Sequence, residues 1–168
     1  LEPAPDLTFE ELEKTERIVG QMGIEPIIRA LEMGAEVIVA GRAYDPAVFA
    51  ALAVYRGFHR GLATHLGKIL ECASIAATPG SGSDCMMGYL GENYFQVEPL
   101  NPVRKCTTMS VAAHTLYEKS DPYLLPSPGG VLDLSETQFS QQSPRAVRVT
   151  GSKFIEDANY TIKLEGVK

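Results

Sequence analysis

The sequence is poor in the features that mark several protein classes. No apolar run approaches the ~20 residues that a membrane-spanning helix needs, and the opening residues lack the basic-then-apolar pattern of a signal peptide. No Lys/Arg run exceeds two residues and the formal charge is -6. Nucleic-acid binding is therefore excluded as an expectation, because phosphate affinity needs a clustered basic face. There are only three cysteines, Cys72, Cys85 and Cys106. None forms a Cys-x-x-Cys pair, and their number is odd, which points to reduced thiols and a cytoplasmic setting rather than to a disulfide framework or a structural zinc site. The three histidines contain no His-x-x-x-His pair, so no metal site is expected. What remains is an ordinary globular balance, 45% hydrophobic and 21% charged over 168 residues, enough for one real core. The ends, "LEPAPDLT" and "YTIKLEGVK", read as a linker and as a strand without a following turn. The expectation is an internal piece of a longer protein.

Local signals then divide the chain. Thr8 with Glu11 has capping-box spacing and predicts a helix over 9–22, stopped by Gly23. "IEPIIRALEMG" predicts a short helix ending at Gly34. "AEVIVAG" is a β-branched run between glycines, the pattern of a parallel strand buried on both faces. Asp45 and Pro46 suit the start of the next helix. "GLATHLGKILECASIAA" places Leu62, Leu66, Ile69 and Leu70 on one helical face. "NYFQVEPL" predicts a strand, and "KCTTMSVAAHTLYEK" a helix ending before Pro122. After that, "RAVRVTGSKFI" and "NYTIKLEG" alternate as antiparallel strands do. Helix, strand and helix in succession predict an α/β fold. In it a layered parallel sheet with flanking helices (1–122) is followed by a smaller antiparallel β-rich part (123–168).

Several residues carry candidate chemistry, each beside a plainer reading. Gly41, Arg42 and Asp45 fall in a loop at the carboxyl end of the predicted strand, where open parallel sheets bind ligands. Arg42 suits a bidentate clamp on a carboxylate or phosphate, while Asp45 also reads as a simple helix cap. Gly80-Ser81-Gly82-Ser83, followed by Asp84, suits a backbone nest for an anion or a plain connector. It is neither a Walker loop nor a nucleophile elbow. His65, Lys68 and Cys72 share one helix flank, and a cation there would favour the thiolate. Burial of the cysteine as a small hydrophobe is the alternative. Ser110, His114 and Glu118 repeat every four residues, but a mid-helix serine lacks the strained turn a nucleophile needs. His114 alone suits general acid–base work.

The strings "VIVAGRAYDPAVFAAL", "HLGKILECASIAATPGSGSDCMMG", "VEPLNPVRKCT" and "SVAAHTLYEKSDPY" resemble, in order and wording, the acyclic terpene utilisation AtuA-like family. The resemblance extends along essentially the whole chain. It implies a bacterial catabolic setting with acyl-CoA intermediates, names no reaction and names no cofactor. It points to Gly41, Arg42, Asp45, His65, Glu71-Cys72, Gly80 to Asp84, Glu98, Asn101, Arg104, His114 and Asp121. At Glu71-Cys72-Ala73 relatives more often carry Glu-Cys-Gly, so packing at that helix end is expected to differ.

Two functions of different class follow. In the first, an enzyme acts on a small anionic molecule, a carboxylate or an acyl-CoA compound. Arg42, Arg104 and the Gly80–Ser83 backbone would bind it, His65 or His114 would move a proton, and Asp45 or Glu71 would orient it. In the second, a non-catalytic subunit holds a partner in a larger complex. A homo-oligomer is compatible with either. Convergence of Arg42, His65, Asp84 and His114 on one pocket favours the first, and scatter favours the second.

Overall fold

A computed structural model describes residues 8–119 and 121–167. The first helix, α1 (Phe9–Glu13), starts at the expected capping box: the Thr8 hydroxyl accepts from the Glu11 amide, and the Glu11 carboxylate accepts from the Thr8 amide. It stops far short of residue 22. Arg17–Gln21 instead forms strand β1, whose antiparallel partner is β9 (Lys163–Val167) at the other end of the chain. Helix α2 (Glu25–Glu32) ends as predicted before Gly34, which sits at φ 83° and supplies the left-handed turn.

The predicted parallel sheet is absent among the described residues, and this corrects the expected fold class. Glu36–Ala40 is an irregular segment, with Val37 82% and Val39 94% exposed. A β-branched run becomes a strand only when a neighbouring strand completes its ladder, and none lies beside this one. Parallel pairing is limited to a single bridge between Met22 and Ala43, where the Met22 amide donates to the Arg42 carbonyl and the Tyr44 amide to that of Met22. The molecule is a small mixed α/β fold with three antiparallel sheets, in the orders β1-β9, β2-β3-β7-β6 and β4-β5-β8. The strands are β2 (Met86–Leu90), β3 (Tyr94–Pro99), β4 (Leu124–Ser127), β5 (Gly130–Asp133), β6 (Gln138–Gln141), β7 (Val147–Thr150) and β8 (Lys153–Glu156). Strands from before and after residue 122 share two of these sheets.

The organising element is helix α4 (Arg60–Leu70), in which every residue from Gly61 to Ile69 is buried. Helix α3 (Asp45–Tyr55) packs along it, and α5 (Thr108–Thr115), β2, β3, β5 and β8 also touch it. Leu62, Leu66 and Ile69 join Phe95, Val97, Val147 and Val149 in one apolar core, while Ala63 joins Ile24, Ala47 and Ala51 in a second. Two glycines allow this density. A Cβ on Gly61 would stand 2.5 Å from the Ser152 carbonyl oxygen, and one on Gly67 2.5 Å from that of Pro46. Arg60 pins the start of α4: it reaches Glu25 at 2.8 Å and Glu156 at 3.2 Å, and its guanidinium lies 4.1 Å from the Phe154 ring centroid.

Just past α4, Ala73 adopts φ 54°, the left-handed region that suits glycine. Ala73→Gly is expected to raise folding stability by roughly 0.5–1 kcal/mol, the left-handed penalty on a Cβ less the added freedom of the unfolded chain. Urea unfolding at neutral pH measures it, and a loss of stability would contradict the conformational assignment.

Candidate functional site

The buried flank of α4 carries two polar groups, His65 and Lys68. His65 is fully enclosed, with Nδ1 2.8 Å from the Ser152 hydroxyl and Nε2 2.9 Å from that of Thr115. Thr115 also lies 3.0 Å from the Val111 carbonyl, four residues back on its own helix, and donates there. The Thr115 oxygen therefore accepts from Nε2–H, and Nδ1 accepts from Ser152. Every hydroxyl proton is used and the imidazole is neutral. Burial, reinforced by the Lys68 charge, pushes the His65 pKa down to about 3. Its surroundings are those of a core residue, with Phe95 and Phe139 edge-on to the ring.

One turn further on, Lys68 is 2% exposed and bonded to the Glu71 carboxylate, with its ammonium 5.4 Å from the Tyr117 ring centroid. Burial raises the Glu71 pKa against the opposing pull of Lys68. Beside this pair stands a second lysine. Lys119 follows α5 and donates to the Tyr44 hydroxyl at 2.7 Å, and the buried Ser127 hydroxyl is 3.5 Å from the same oxygen. Burial first, then the Lys68 charge, lowers the Lys119 pKa to about 8, with Glu71 and Glu118 opposing. Burial likewise raises the Tyr44 pKa, so the group remains a phenol at neutral pH.

Two concavities flank the cluster. One, about 480 Å³, is lined by Lys119, Ser127, Gly130, Asp157, Thr161 and Lys163 among others. The other, about 460 Å³, is lined by Gly41, Arg42, Asp45, Phe49 and Glu71 among others. Four sequence-predicted residues thus meet in the second cleft. Arg42 lies 3.1 Å from Asp45 there, and Asp45 occupies the first turn of α3.

The other predicted residues lie elsewhere. His114 is buried in α5, its Nε2 without a partner and its ring stacked on Tyr117 at 5.6 Å; it lines a shallow groove with Ile75, Ser110 and Leu116. Burial also lowers its pKa. Arg104 binds the Asp84 carboxylate and the Pro79 carbonyl, and Asn101 reaches Asp84 at 2.9 Å. Arg104, aided by Asn101, holds the Asp84 carboxyl below its usual range. These contacts tie down both ends of the Gly80–Ser83 turn. Within it, Ser81 and Ser74 exchange backbone hydrogen bonds, and the Ser83 amide donates to the Ser81 hydroxyl at 3.2 Å. Those two amides are committed inside the turn, and none of Gly80, Ser81, Gly82 or Ser83 lines the Arg42 cleft. Arg42, His65, Asp84 and His114 therefore do not share a concavity. The sequence reading missed Lys119, Tyr44 and Ser127, which come together only through tertiary packing.

Cys106 is buried, Cys72 half-buried and Cys85 exposed, all as free thiols. Burial raises the Cys72 pKa and pushes that of Cys106 up to about 12, so neither is an activated thiolate. Among the described residues, no cluster of three or more His, Cys, Asp or Glu is placed to hold a metal ion, and no helix is long and apolar enough to cross a membrane.

No curated protein and no solved structure matches the chain. One family model does, described as acyclic terpene utilisation family protein AtuA, over residues 7–85. The matched segment carries α1 to α4, the Arg42–Asp45 cleft and Lys68–Glu71, while Lys119 lies beyond it. Residues 7–85, a little under half of the chain, are thus similar to the acyclic terpene utilisation family.

Proposed function

We propose that the protein is a catabolic enzyme, or an enzyme subunit, that binds a small carboxylate or acyl compound in the cavity at Lys119 and moves a proton there. One observation carries the reading. Lys119, with its pKa lowered to about 8, lines a cavity of about 480 Å³ and is bonded to the buried Tyr44 phenol behind it. That size suits a small ligand. A lysine tuned close to neutrality serves as proton donor and acceptor under physiological conditions. Lys163, on the same wall, supplies a cation for the carboxylate.

Thermal shift of the full chain with pentanoate and other short and branched carboxylates tests this. At a ligand concentration far above Kd, a specific binder is expected to raise Tm by about 5 °C or more. Lys119→Met is expected to abolish that shift. If no carboxylate stabilises the protein, or the variant responds like wild type, the reading fails. The scatter of Arg42, His65, Asp84 and His114 favours the second reading, a non-catalytic assembly subunit, and the exposed Val37 and Val39 suit a covered surface.

A further inference from the structure

We propose that Lys119 is a nucleophile that condenses with the carbonyl of an oxo-carboxylate, forming an imine in the cavity beside Tyr44. The inference rests on the carboxylate reading above and names the substrate class: a small acid that also carries a ketone or aldehyde.

Four features of the site support it. Lys119 is the cavity-lining amine held against a buried hydroxyl, with its nitrogen 2.7 Å from the Tyr44 oxygen and 5.0 Å from the ring centroid. Its aim is therefore fixed. Lys68 lies close enough to oppose its protonation, while Glu71 and Glu118 favour it. A buried amine beside a second ammonium is the usual means of keeping a lysine nucleophilic near neutral pH. Lys68 cannot take the role itself, being bonded to Glu71 and buried. Lys163, whose Nζ is 5.9 Å from the Tyr44 ring centroid, stands on the cavity wall to meet the substrate carboxylate.

The step balances without an added oxidant or reductant. The neutral Lys119 nitrogen adds to the carbonyl carbon, and one nitrogen proton passes to the carbonyl oxygen to give a carbinolamine. The Tyr44 hydroxyl then protonates the departing oxygen, the C–O bond breaks and water leaves. The nitrogen lone pair forms the C=N bond, giving a protonated imine beside a phenolate that recovers its proton from solvent. As a phenol at neutral pH, Tyr44 has that proton to give. Ser127, 3.5 Å from the Tyr44 oxygen, orients it.

The matched pair 4-oxopentanoate and pentanoate, which differ at the carbonyl, separates this step from simple carboxylate binding. The full chain is incubated with each acid and cyanoborohydride near pH 7.5, and adducts are located by peptide mass mapping. With 4-oxopentanoate, the reduced adduct at Lys119 is expected to exceed that at any other lysine on the order of tenfold, because its neutral fraction is far larger. Lys119→Arg, whose guanidinium is not a nucleophile, is expected to give no adduct at position 119. Tyr44→Phe is expected to slow adduct formation. If pentanoate stabilises the protein but no Lys119 adduct forms, the imine is overturned and the carboxylate site stands. If adducts spread evenly over exposed lysines, or concentrate on Lys163, the assignment of Lys119 is overturned. If neither acid binds nor reacts, both readings fall.

Discussion

Lowering the pH from 7 to 5 is expected to remove about 2 kcal/mol of folding stability through His65 alone. The ordinary histidine pKa is 6.5, and in the folded protein that of His65 falls to about 3. Between these values the unfolded chain binds the proton and the folded chain does not, so the slope of stability with pH is positive. Stability is complete above pH 6.5 and declines on acidification at about 1.4 kcal/mol per pH unit towards pH 3. The physical cause is the enclosed ring: both nitrogens are satisfied in the neutral form by Ser152 and Thr115, and an added proton would have no water to solvate it. His114, whose pKa is also lowered, contributes with the same sign. Urea unfolding at pH 7.5, 6 and 5 measures the slope. The variant His65→Gln is less stable at pH 7.5, because it disrupts the hydroxyl network, yet its stability is expected to depend less steeply on pH. Equal slopes in the two proteins would remove His65 as the cause. The same burial sets this histidine apart from proton transfer with a substrate, because it has neither surface nor vacancy for one.

Local signals in the sequence were legible wherever local chemistry decides the outcome. The Thr8–Glu11 box starts α1, Gly34 ends α2 in the left-handed region, and Asp45-Pro46 opens α3. Strand β3 alternates buried and half-buried residues along its length, as its sequence predicts. Partner-dependent elements were not legible. "RIVGQ" read as the continuation of a helix because its partner β9 lies at the far end of the chain. "EVIVA" read as a buried strand because periodicity reports apolar character and says nothing about whether a ladder partner exists. The candidate site divides the same way. Gly41, Arg42, Asp45 and Glu71 come from two nearby stretches and meet in one cleft. Lys119, Tyr44 and Ser127 come from three separate elements, and no motif announces them. Lys119 in particular follows α5 in an ordinary "YEK" stretch, and only its burial and its packing beside Lys68 distinguish it.

Glycine spacing drew attention to Gly80 and Gly82, yet a far larger effect of substitution is expected at Gly67, in the middle of α4. Gly82 has open space around a built Cβ and no left-handed φ, so Gly82→Val is expected to change stability by less than about 0.5 kcal/mol. At Gly67 the new Cβ would stand 2.5 Å from the Pro46 carbonyl oxygen and 3.1 Å from its Cα. Both are backbone atoms at the first turn of α3, which cannot rotate aside. In an isolated helix the loss of glycine would help by roughly 0.5–1 kcal/mol. Here overpacking opposes it at about 1–3 kcal/mol, and the two methyl groups of valine put the cost at the upper end or beyond. Gly67→Val is therefore expected to lose about 3 kcal/mol in urea unfolding, and Gly67→Ala less. The displacement falls where Tyr44 and Asp45 lead into α3 and where Lys68 and Glu71 leave α4. Pentanoate binding in Gly67→Ala, under conditions where it remains folded, is thus expected to weaken, whereas Gly82→Val retains it. Wild-type stability in Gly67→Val would show that α3 and α4 do not cross as closely as Pro46 and Gly67 require.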